Sequence, residues 1–199
     1  MRRAIDVLVA GLALVALSPV MLVLVIAVRW TLGSPLLFRQ VRTGMHGRPF
    51  TIVKFRTMRA EQFPGEPDAA RETRLGRVLR GSSLDELPQL LNVLWGHMSL
   101  IGPRPTLPSQ VQHYTNRQHG RHAVRPGITG WAQVNGRNSL PWPERIELDL
   151  WYIQHRSLSL DLRIVGRTLL RLVRPSGLYG EGGVNPGFPV PGDEPTRDV

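Results

Sequence analysis

The sequence contains no cysteine, few aromatic residues and few acidic residues. The lack of cysteine excludes disulfides and thiolate metal sites and fits a reducing compartment. Twenty-five Lys and Arg residues against 15 Asp and Glu residues give a net charge of +10 over 199 residues, which favours anionic partners. Zinc-finger spacing, aromatic ribonucleoprotein motifs and basic heptad regions are all absent, so we expect no nucleic-acid partner and turn to lipids and phosphorylated substrates.

One long apolar run occupies residues 5–28, and Asp6 is its only charge. As a straight helix it would reach roughly 36 Å, enough to cross a hydrocarbon core of about 30 Å. The run is too long for a cleavable signal peptide, and no small-x-small motif follows it. Ser18-Pro19 predicts a kink in mid-segment. Arginines flank both ends of the run: Arg2, Arg3, Arg29, Arg39 and Arg42.

This pattern leaves two topologies open for the N-terminal segment. A spanning helix would place one arginine cluster outside, whereas a re-entrant helix bent at Ser18-Pro19 keeps both clusters in the cytosol. Both topologies put the rest of the chain on the cytoplasmic side, because the denser basic flank follows the segment.

The rest of the chain predicts an α+β, mainly helical domain with one β-hairpin. Strands are predicted over residues 36–42 and 49–55, around a turn at residues 43–47. Helical patterns cover residues 68–80, 84–95, 108–119, 143–155 and 160–174. We therefore expect a membrane helix over residues 1–30, a compact cytosolic catalytic domain over 31–175, and an irregular or disordered tail over 176–199.

The last predicted helix carries arginines along one side and apolar residues along the other. The arginines are Arg163, Arg167, Arg171 and Arg174, and the apolar row is Leu162, Val165, Leu169 and Leu172 with Val173. An amphipathic helix of this kind can lie on anionic lipid. A solvated face on a helix packed into the core explains the pattern equally well.

Two adjacent carboxylates, Asp85 and Glu86, stand where the helix over residues 84–95 is predicted to begin. A structural explanation has Asp85 as the N-cap, or Ser83 as the cap with Glu86 closing a capping box. A chemical explanation is compatible with capping, because a helix N-terminus stabilises an ionised carboxylate and favours an arriving phosphate.

The surrounding arginines favour phosphate chemistry. Arg80 precedes the acid pair, and Arg104 follows it in a turn stiffened by Pro103 and Pro105. Arginine offers phosphate oxygens a planar fork of donors. A carboxylate that attacks phosphorus would form an aspartyl-phosphate ester, and a neighbouring carboxylate suits Mg²⁺.

Two long segments together resemble the signature of the bacterial sugar transferases, the monotopic phosphoglycosyl transferases. They are SSLDELPQLLNVLWGHMSLIGPRP over residues 82–105 and RPGITGWAQVNGRN over residues 125–138. The resemblance covers almost the whole chain, from the Arg2-Arg3-x-x-Asp6 start, and matches the short members of the family. It implies transfer of a phospho-sugar from a UDP-sugar to polyprenyl phosphate, undecaprenyl phosphate in most bacteria, with release of UMP. Such a step initiates the assembly of glycoconjugates such as exopolysaccharide or lipopolysaccharide.

The resemblance also implies roles for single residues. Asp85 would attack the sugar-bearing phosphorus and form a covalent phosphosugar-aspartate, and Glu86, with Asp85, would bind Mg²⁺ or manage protons. Arg80, Arg104 and, less directly, Arg137 would contact the phosphates. The Ser18-Pro19 break would make the N-terminal helix re-entrant. The catalytic domain would then lie on the cytosolic face of the bacterial inner membrane.

Several features stay open at this point. His97 stands where many relatives have an acidic residue, and we give it no role. Trp131 and Trp142 could stack on uracil, lie at the lipid interface or pack in the core. A non-catalytic membrane scaffold that binds anionic ligands is the alternative function, and for it Asp85 and Glu86 would be dispensable. The sugar, the polyprenyl length and a homo-oligomeric state are also undetermined.

Overall fold

The computed structural model describes residues 2–136 and 139–173, and its chain divides into two compact units. The first unit combines Met1–Gln40 with Thr51–Leu100, and the second combines Val41–Phe50 with Ile101–Val199. The described residues are mainly helical with two small two-stranded sheets, which confirms the predicted mainly helical α+β class. The predicted tail, Arg137 and Arg174 lie outside the described residues.

Among the described residues, the order of helices and strands shows no repeated unit. The α-helices are α1 (Arg2–Ala16), α2 (Ser18–Leu32), α3 (Asp68–Arg71), α4 (Arg74–Ser82), α5 (Gln89–Leu94), α6 (Pro108–Val111), α7 (Asn116–His119), α8 (Trp131–Val134), α9 (Trp142–Gln154) and α10 (Leu158–Val173). The strands are β1 (Leu37–Thr43), β2 (Pro49–Phe55), β3 (Ser99–Ile101) and β4 (Gly127–Thr129), and 3₁₀ turns occupy Met45–Gly47, Leu84–Glu86 and Gly120–Ala123.

The N-terminal apolar segment is a pair of helices, α1 and α2, bent by 62°. Neither helix alone meets the length and apolarity needed to cross a bilayer, whereas the bent pair together does so. Pro19 has no N–H with which to bond the Val15 carbonyl, and the Ser18 hydroxyl donates to that carbonyl instead at 2.8 Å. The Ser-Pro dipeptide therefore bends the chain and satisfies the carbonyl that the proline leaves behind.

The first unit has its core between α2 and the elements that follow it. Leu24 and Val28 of α2 pack with Phe55 of β2 and Leu79 of α4. The single helix predicted over residues 68–80 is wrong, because the chain breaks between α3 and α4. The Thr73 side chain accepts a hydrogen bond from the Gly76 N–H and starts a new helix there.

The predicted β-hairpin is confirmed. β1 and β2 are neighbours in one sheet. The Arg56 N–H donates to the Leu36 carbonyl at the open end, and the Gly44 N–H donates to the Arg48 carbonyl near the turn. The two residue numbers of each pair have the same sum, which fixes an antiparallel register without a bulge between them.

Among the described residues of the second unit, two apolar clusters are found. Tyr152 of α9 and Ile164 of α10 are fully buried in one cluster, and Ile146 of α9 lies in the other with Tyr114. The single helix predicted over residues 108–119 is also wrong. Thr115 and Gln118 form a capping box that starts α7 as a separate short helix.

Candidate active site

The acid pair lies in the 3₁₀ turn before α5 and not at the start of an α-helix. Ser83 has a left-handed backbone (φ 59°) and makes no side-chain cap for this turn, and α5 begins at Gln89 with Pro88 as its N-cap. Both capping interpretations of the acid pair are therefore wrong. Asp85 and Glu86 are nevertheless buried, with 7% and 8% of their surfaces exposed. Helix capping does not explain why two adjacent carboxylates are withdrawn from water here.

Lys54 on β2 forms an ion pair with Glu86, one of the two adjacent carboxylates. Its Nζ lies 2.8 Å from Glu86 Oε1, and both side chains are largely buried. A buried carboxylate is costly unless a cation or hydrogen bonds compensate it. The sequence prediction missed Lys54, although a signal was present. Phe50, Ile52 and Lys54 occupy alternate positions of β2, so their side chains lie on the same side of the strand. Because Phe50 and Ile52 are apolar, this spacing predicts that the charge of Lys54 also faces inward.

Asn92 fixes α5 against the strand that carries Lys54. Its side-chain oxygen accepts from the Val53 N–H at 3.1 Å, and its side-chain nitrogen donates to the Thr51 carbonyl at 2.7 Å. Asn92 is fully buried. An asparagine inside the apolar run of α5 was the available signal, and it was also missed. These two bonds hold Lys54 beside the turn that carries Glu86.

The N-terminal helix also contacts the segment that follows the acid pair. Arg3 donates to the Val93 and Leu94 carbonyls at 2.6 and 3.0 Å, at the C-terminal end of α5. Asp6 accepts from the Ser99 hydroxyl at 2.8 Å and from the Leu100 N–H at 3.1 Å. The charged residues of the Arg2-Arg3-x-x-Asp6 start therefore tie α1 to the chain on the C-terminal side of the acid pair.

Arg80, at the end of α4, forms an ion pair with Glu72. Its second terminal nitrogen lies 3.7 Å from Met58 Sδ, and about a third of its side chain is exposed. Arg80 thus belongs to the same unit as Asp85 and Glu86, with its guanidinium held by Glu72. A role for Arg80 at the substrate phosphates stays a prediction.

Arg104 belongs to the second unit, where it is exposed at the tip of the Gly-Pro-Arg-Pro turn. Burial, together with the charges of Arg104 and Arg121, lowers the pKa of Arg145 on α9. The guanidinium of Arg145 also lies 5.1 Å from the centre of the Trp142 ring. Arg104 and Arg145 therefore contribute positive charge to this part of the second unit, and the sequence prediction included only Arg104.

Arg121 and Asp149 form a buried ion pair in the second unit. Arg121 Nε lies 2.6 Å from Asp149 Oδ2, and the side chains are only 3% and 1% exposed. Burial alone would lower the pKa of Arg121, but the charges and hydrogen bonds of Asp149 and Tyr114 together outweigh burial and leave this pKa above its ordinary value. The sequence prediction missed both residues, which lie 28 positions apart in otherwise unremarkable contexts.

His122 is buried beside this pair and stacks on Tyr114, with ring centres 5.8 Å apart. Burial, then the positive charges of Arg121 and His119, lower the pKa of His122 from 6.5 to about 4. His122 is therefore neutral near pH 7. Among the described residues, no group of three or more His, Asp or Glu side chains is arranged to hold a metal.

Trp131 and Trp142 both contact other side chains of the protein. Trp131 stacks on Trp151 with ring centres 5.3 Å apart, and the Arg167 guanidinium lies 5.0 Å from the Trp131 ring centre. Trp142 is partly buried against the cluster that contains Ile146. These contacts favour the packing interpretation for both rings. His97 is exposed, and its ring lies edge-on to Trp95.

The exposure of the α10 side chains bears on its two interpretations, a helix on anionic lipid or a solvated face of a core-packed helix. Leu162 and Leu169, predicted to lie on the apolar side, are 72% and 58% exposed, whereas Ile164 is fully buried. Arg163 and Arg167 are exposed as well. Exposure of both an apolar row and arginines favours the membrane-surface interpretation, and contact of α10 with lipid stays a prediction.

Comparison with known proteins identifies the family. The model of the family described as bacterial sugar transferase matches residues 1–175. The chain is 47% identical over 181 residues to the uncharacterized sugar transferase EpsL of Bacillus subtilis (strain 168), covering 89% of this chain and 90% of EpsL. It is 37% identical over 198 residues to the exopolysaccharide production protein ExoY of Sinorhizobium fredii (strain NBRC 101917 / NGR234), covering 89% and 88% of the two chains.

A further relative carries a name that states a reaction. It is a UDP-glucose:undecaprenyl-phosphate glucose-1-phosphate transferase of Klebsiella pneumoniae, 43% identical over 183 residues. The match covers 85% of this chain but only 39% of that protein. The protein described here thus belongs to the bacterial sugar transferase family, as its sequence motifs indicated. It is an enzyme of the phosphoglycosyl transferase class.

Proposed function

We propose that the protein transfers a phosphosugar from a UDP-sugar to undecaprenyl phosphate and releases UMP. The observation that carries this proposal is the buried pair Asp85 and Glu86, which caps no helix and has one carboxylate held by Lys54. It lies within the segment that the family model matches. Glucose is the first sugar to test, because several relatives are named for UDP-glucose.

The first chemical step joins Asp85 to the phosphorus that carries the sugar. A carboxylate oxygen of Asp85 attacks this phosphorus, and the bond from phosphorus to the oxygen bridging the two phosphates breaks. UMP leaves with that bridging oxygen, and the phosphosugar stays on Asp85 as an acyl phosphate. The bond between the sugar and its own phosphate oxygen is untouched, so the anomeric configuration is retained.

The second step regenerates the carboxylate. A phosphate oxygen of undecaprenyl phosphate attacks the same phosphorus, the bond to Asp85 breaks, and undecaprenyl-diphospho-sugar is released. Glu86 stands next to the reacting residue with its charge held by Lys54. Glu86 would receive the proton of a protonated acceptor phosphate. Two steps with lower barriers thus replace a direct displacement between two anions, the UDP-sugar and undecaprenyl phosphate.

Arginines supply the positive charge that the phosphates need. Arg104 would hold donor phosphate oxygens, since the guanidinium fork matches their geometry. Arg80 would do the same if a phosphate competes with Glu72 for its guanidinium. The sequence adds Arg137 as a further candidate.

Mg²⁺ is the expected metal, and the donor set fits it. Mg²⁺ is commonly bound by one or two carboxylates with substrate phosphates completing its shell, and Asp85 and Glu86 offer two such carboxylates. When bound, Mg²⁺ would neutralise charge that develops on the diphosphate. Lys54 already contributes one positive charge at Glu86, so metal and substrate would arrive at a site that is partly neutralised.

The N-terminal helices and α10 indicate attachment to a bilayer. We propose that α1 and α2 form a re-entrant helix, whose bend and flanking arginines suit entry and exit on one side. The exposed apolar row of α10 would rest on the anionic lipid surface, with Arg163 and Arg167 beside phosphate headgroups. The enzyme would then work at the cytosolic face of the bacterial inner membrane, where the phosphate of its lipid acceptor lies.

A UMP-release assay tests this function. The full-length protein in lipid nanodiscs is mixed with undecaprenyl phosphate, Mg²⁺ and UDP-glucose, UDP-galactose or their N-acetylated forms. We expect release of UMP and a diphospho-sugar lipid with at least one donor, loss of both with EDTA, and recovery on addition of Mg²⁺. Glu147→Gln, at an exposed position on α9, serves as the control variant. Absence of UMP release with every donor would favour the non-catalytic scaffold.

A further inference from the structure

The turn that carries Arg104 is fixed at both of its ends by backbone hydrogen bonds. The Gly102 N–H donates to the Thr129 carbonyl, and the Gly127 N–H donates to the Pro103 carbonyl, each at 2.9 Å. The two glycine backbones approach so closely that a Cβ on Gly127 would lie 2.1 Å from the Gly102 nitrogen. On the other side, the Thr43 N–H donates to the Thr106 carbonyl at 2.9 Å.

The carbonyl of Arg104 itself is held by a side chain. Arg121 Nη2 donates to it at 2.9 Å. The same guanidinium donates through Nη1 to the Tyr114 hydroxyl at 2.8 Å and through Nε to Asp149 at 2.6 Å. Three different stretches of chain therefore converge on one planar group, which lysine could not replace because it lacks the rigid fork.

Burial makes this arrangement rigid and also makes it costly to disturb. Arg121 and Asp149 are almost completely buried, whereas the side chain of Arg104 is exposed at the tip of the turn. A buried charge that loses its partner destabilises its surroundings strongly. The turn thus combines a backbone held by several hydrogen bonds with a side chain that is exposed.

We infer that Arg121 and Asp149 are positioning residues for the transfer reaction, which fix the backbone at Arg104 so that its guanidinium meets the donor phosphates. The inference rests on the proposed function. Neither residue contacts substrate, and their contribution passes entirely through Arg104. Misplacing a binding group by about 1 Å can cost about a hundredfold in rate, so the clamp acts on turnover as well as on the fold.

A double-mutant cycle tests the inference on the full-length protein in nanodiscs. The variants are Arg121→Lys, Arg104→Ala and both together, and the rate of UMP release is measured at saturating donor. We expect Arg121→Lys to lower this rate about tenfold or more in the wild-type background, and by less than about twofold when Arg104 is already alanine. The same tenfold loss in both backgrounds would overturn the inference, because it would show an effect independent of Arg104.

A matched control separates positioning from general stabilisation. Arg117 forms an exposed ion pair with Glu147, and this pair joins nearly the same two stretches of chain as Arg121 and Asp149. Arg117→Lys should leave the rate and the melting temperature unchanged. If Arg121→Lys does not fold, the cycle is repeated with Tyr114→Phe, which removes one of the three acceptors. An additive loss, or no loss in a folded variant, overturns the inference.

The two proposals fail in different ways. Wild-type protein that releases no UMP with any donor contradicts the proposed function. Wild-type protein that is active, but in which the Arg121 and Arg104 changes are independent, contradicts only the positioning role.

Discussion

At the scale of single residues, the ion pair between Lys54 and Glu86 links the hairpin to the acid pair. Lys54 lies on a strand whose backbone is bonded to Asn92, and Glu86 lies on the turn just before the helix that carries Asn92. Lys54 therefore compensates the Glu86 carboxylate in a largely buried position, without a helix N-terminus. This arrangement replaces the capping role that the sequence pattern predicts.

Lys54→Met should damage both stability and activity. The change preserves the apolar stem of the side chain but leaves the Glu86 carboxylate buried without its cation. We expect a loss of about 1–3 kcal/mol in the free energy of unfolding, less than for a fully buried pair because Lys54 retains some exposure. Thermal unfolding and UMP release measure the two effects.

The control for Lys54→Met is Arg77→Met. Arg77 pairs with Glu72 at 3.3 Å but is 65% exposed, so its loss should change stability by no more than about 1 kcal/mol. If the Lys54→Met variant is as stable and as active as the Arg77→Met variant, Lys54 does not support the Glu86 carboxylate, and the prediction is contradicted.

His122 predicts a pH dependence of stability. Its pKa is about 4 in the folded protein and 6.5 when unperturbed, so the unfolded chain binds more protons between these values. Stability is therefore complete above about pH 6.5 and is lost as the pH falls towards about 4. This single group should cost about 2 kcal/mol between about pH 7 and about pH 5.

The variant His122→Phe isolates this contribution. Phenylalanine keeps the stacking on Tyr114 and has no ionisable group, so the melting temperature of the variant should fall less steeply with decreasing pH than that of the wild type. His113→Phe, at an exposed position, is the control and should keep the wild-type slope. Equal slopes for His122→Phe and wild type would contradict the assignment.

At the scale of elements, the existence and type of the long elements could be predicted, but the boundaries of the short ones could not. The hairpin and helices α9 and α10 follow from alternation and helical spacing within the segments themselves. The breaks at Thr73 and Thr115 depend on local side-chain caps that compete with helix propagation, and both threonines lie inside patterns that continue across them.

The candidate site was predictable in part for a similar reason. The sequence predicts four site residues because they lie in one local motif: Arg80, Asp85, Glu86 and Arg104. Lys54, Asn92, Arg121 and Asp149 act through partners 28 to 41 positions away, and a single sequence does not show such pairs. The sequence carries a signal for only two of them. Lys54 is a charge in an apolar row of a strand, and Asn92 is an amide in an apolar helix.

Helix α10 carries a prediction of its own. Because the chain has no cysteine, Leu169→Cys introduces a single labelling site. A polarity-sensitive fluorophore at this site should shift to the blue in anionic nanodiscs and be quenched by spin-labelled lipid. Val78→Cys, on the exposed side of α4, is the control and should report water. A water-like spectrum at residue 169 would contradict contact of α10 with the bilayer.

At the scale of the whole molecule, a re-entrant helix would leave both ends of the apolar segment on one side of the membrane. Ala4→Cys and Arg39→Cys, at exposed positions on either side of the segment, test this with an impermeant maleimide on oriented vesicles. We expect both sites to react only from the cytosolic side. Reaction of the two sites from opposite sides would establish a spanning topology and contradict the re-entrant helix.

The covalent phosphosugar-aspartate is the central claim about the whole enzyme, and intact-mass spectrometry tests it most directly. Purified protein is incubated with Mg²⁺ and the donor that supports UMP release, without undecaprenyl phosphate. We expect a mass increase of one phosphosugar on the wild type and none on Asp85→Asn. The same adduct on Asp85→Asn, or a wild type that releases UMP only when the lipid is added and never carries the adduct, would contradict it.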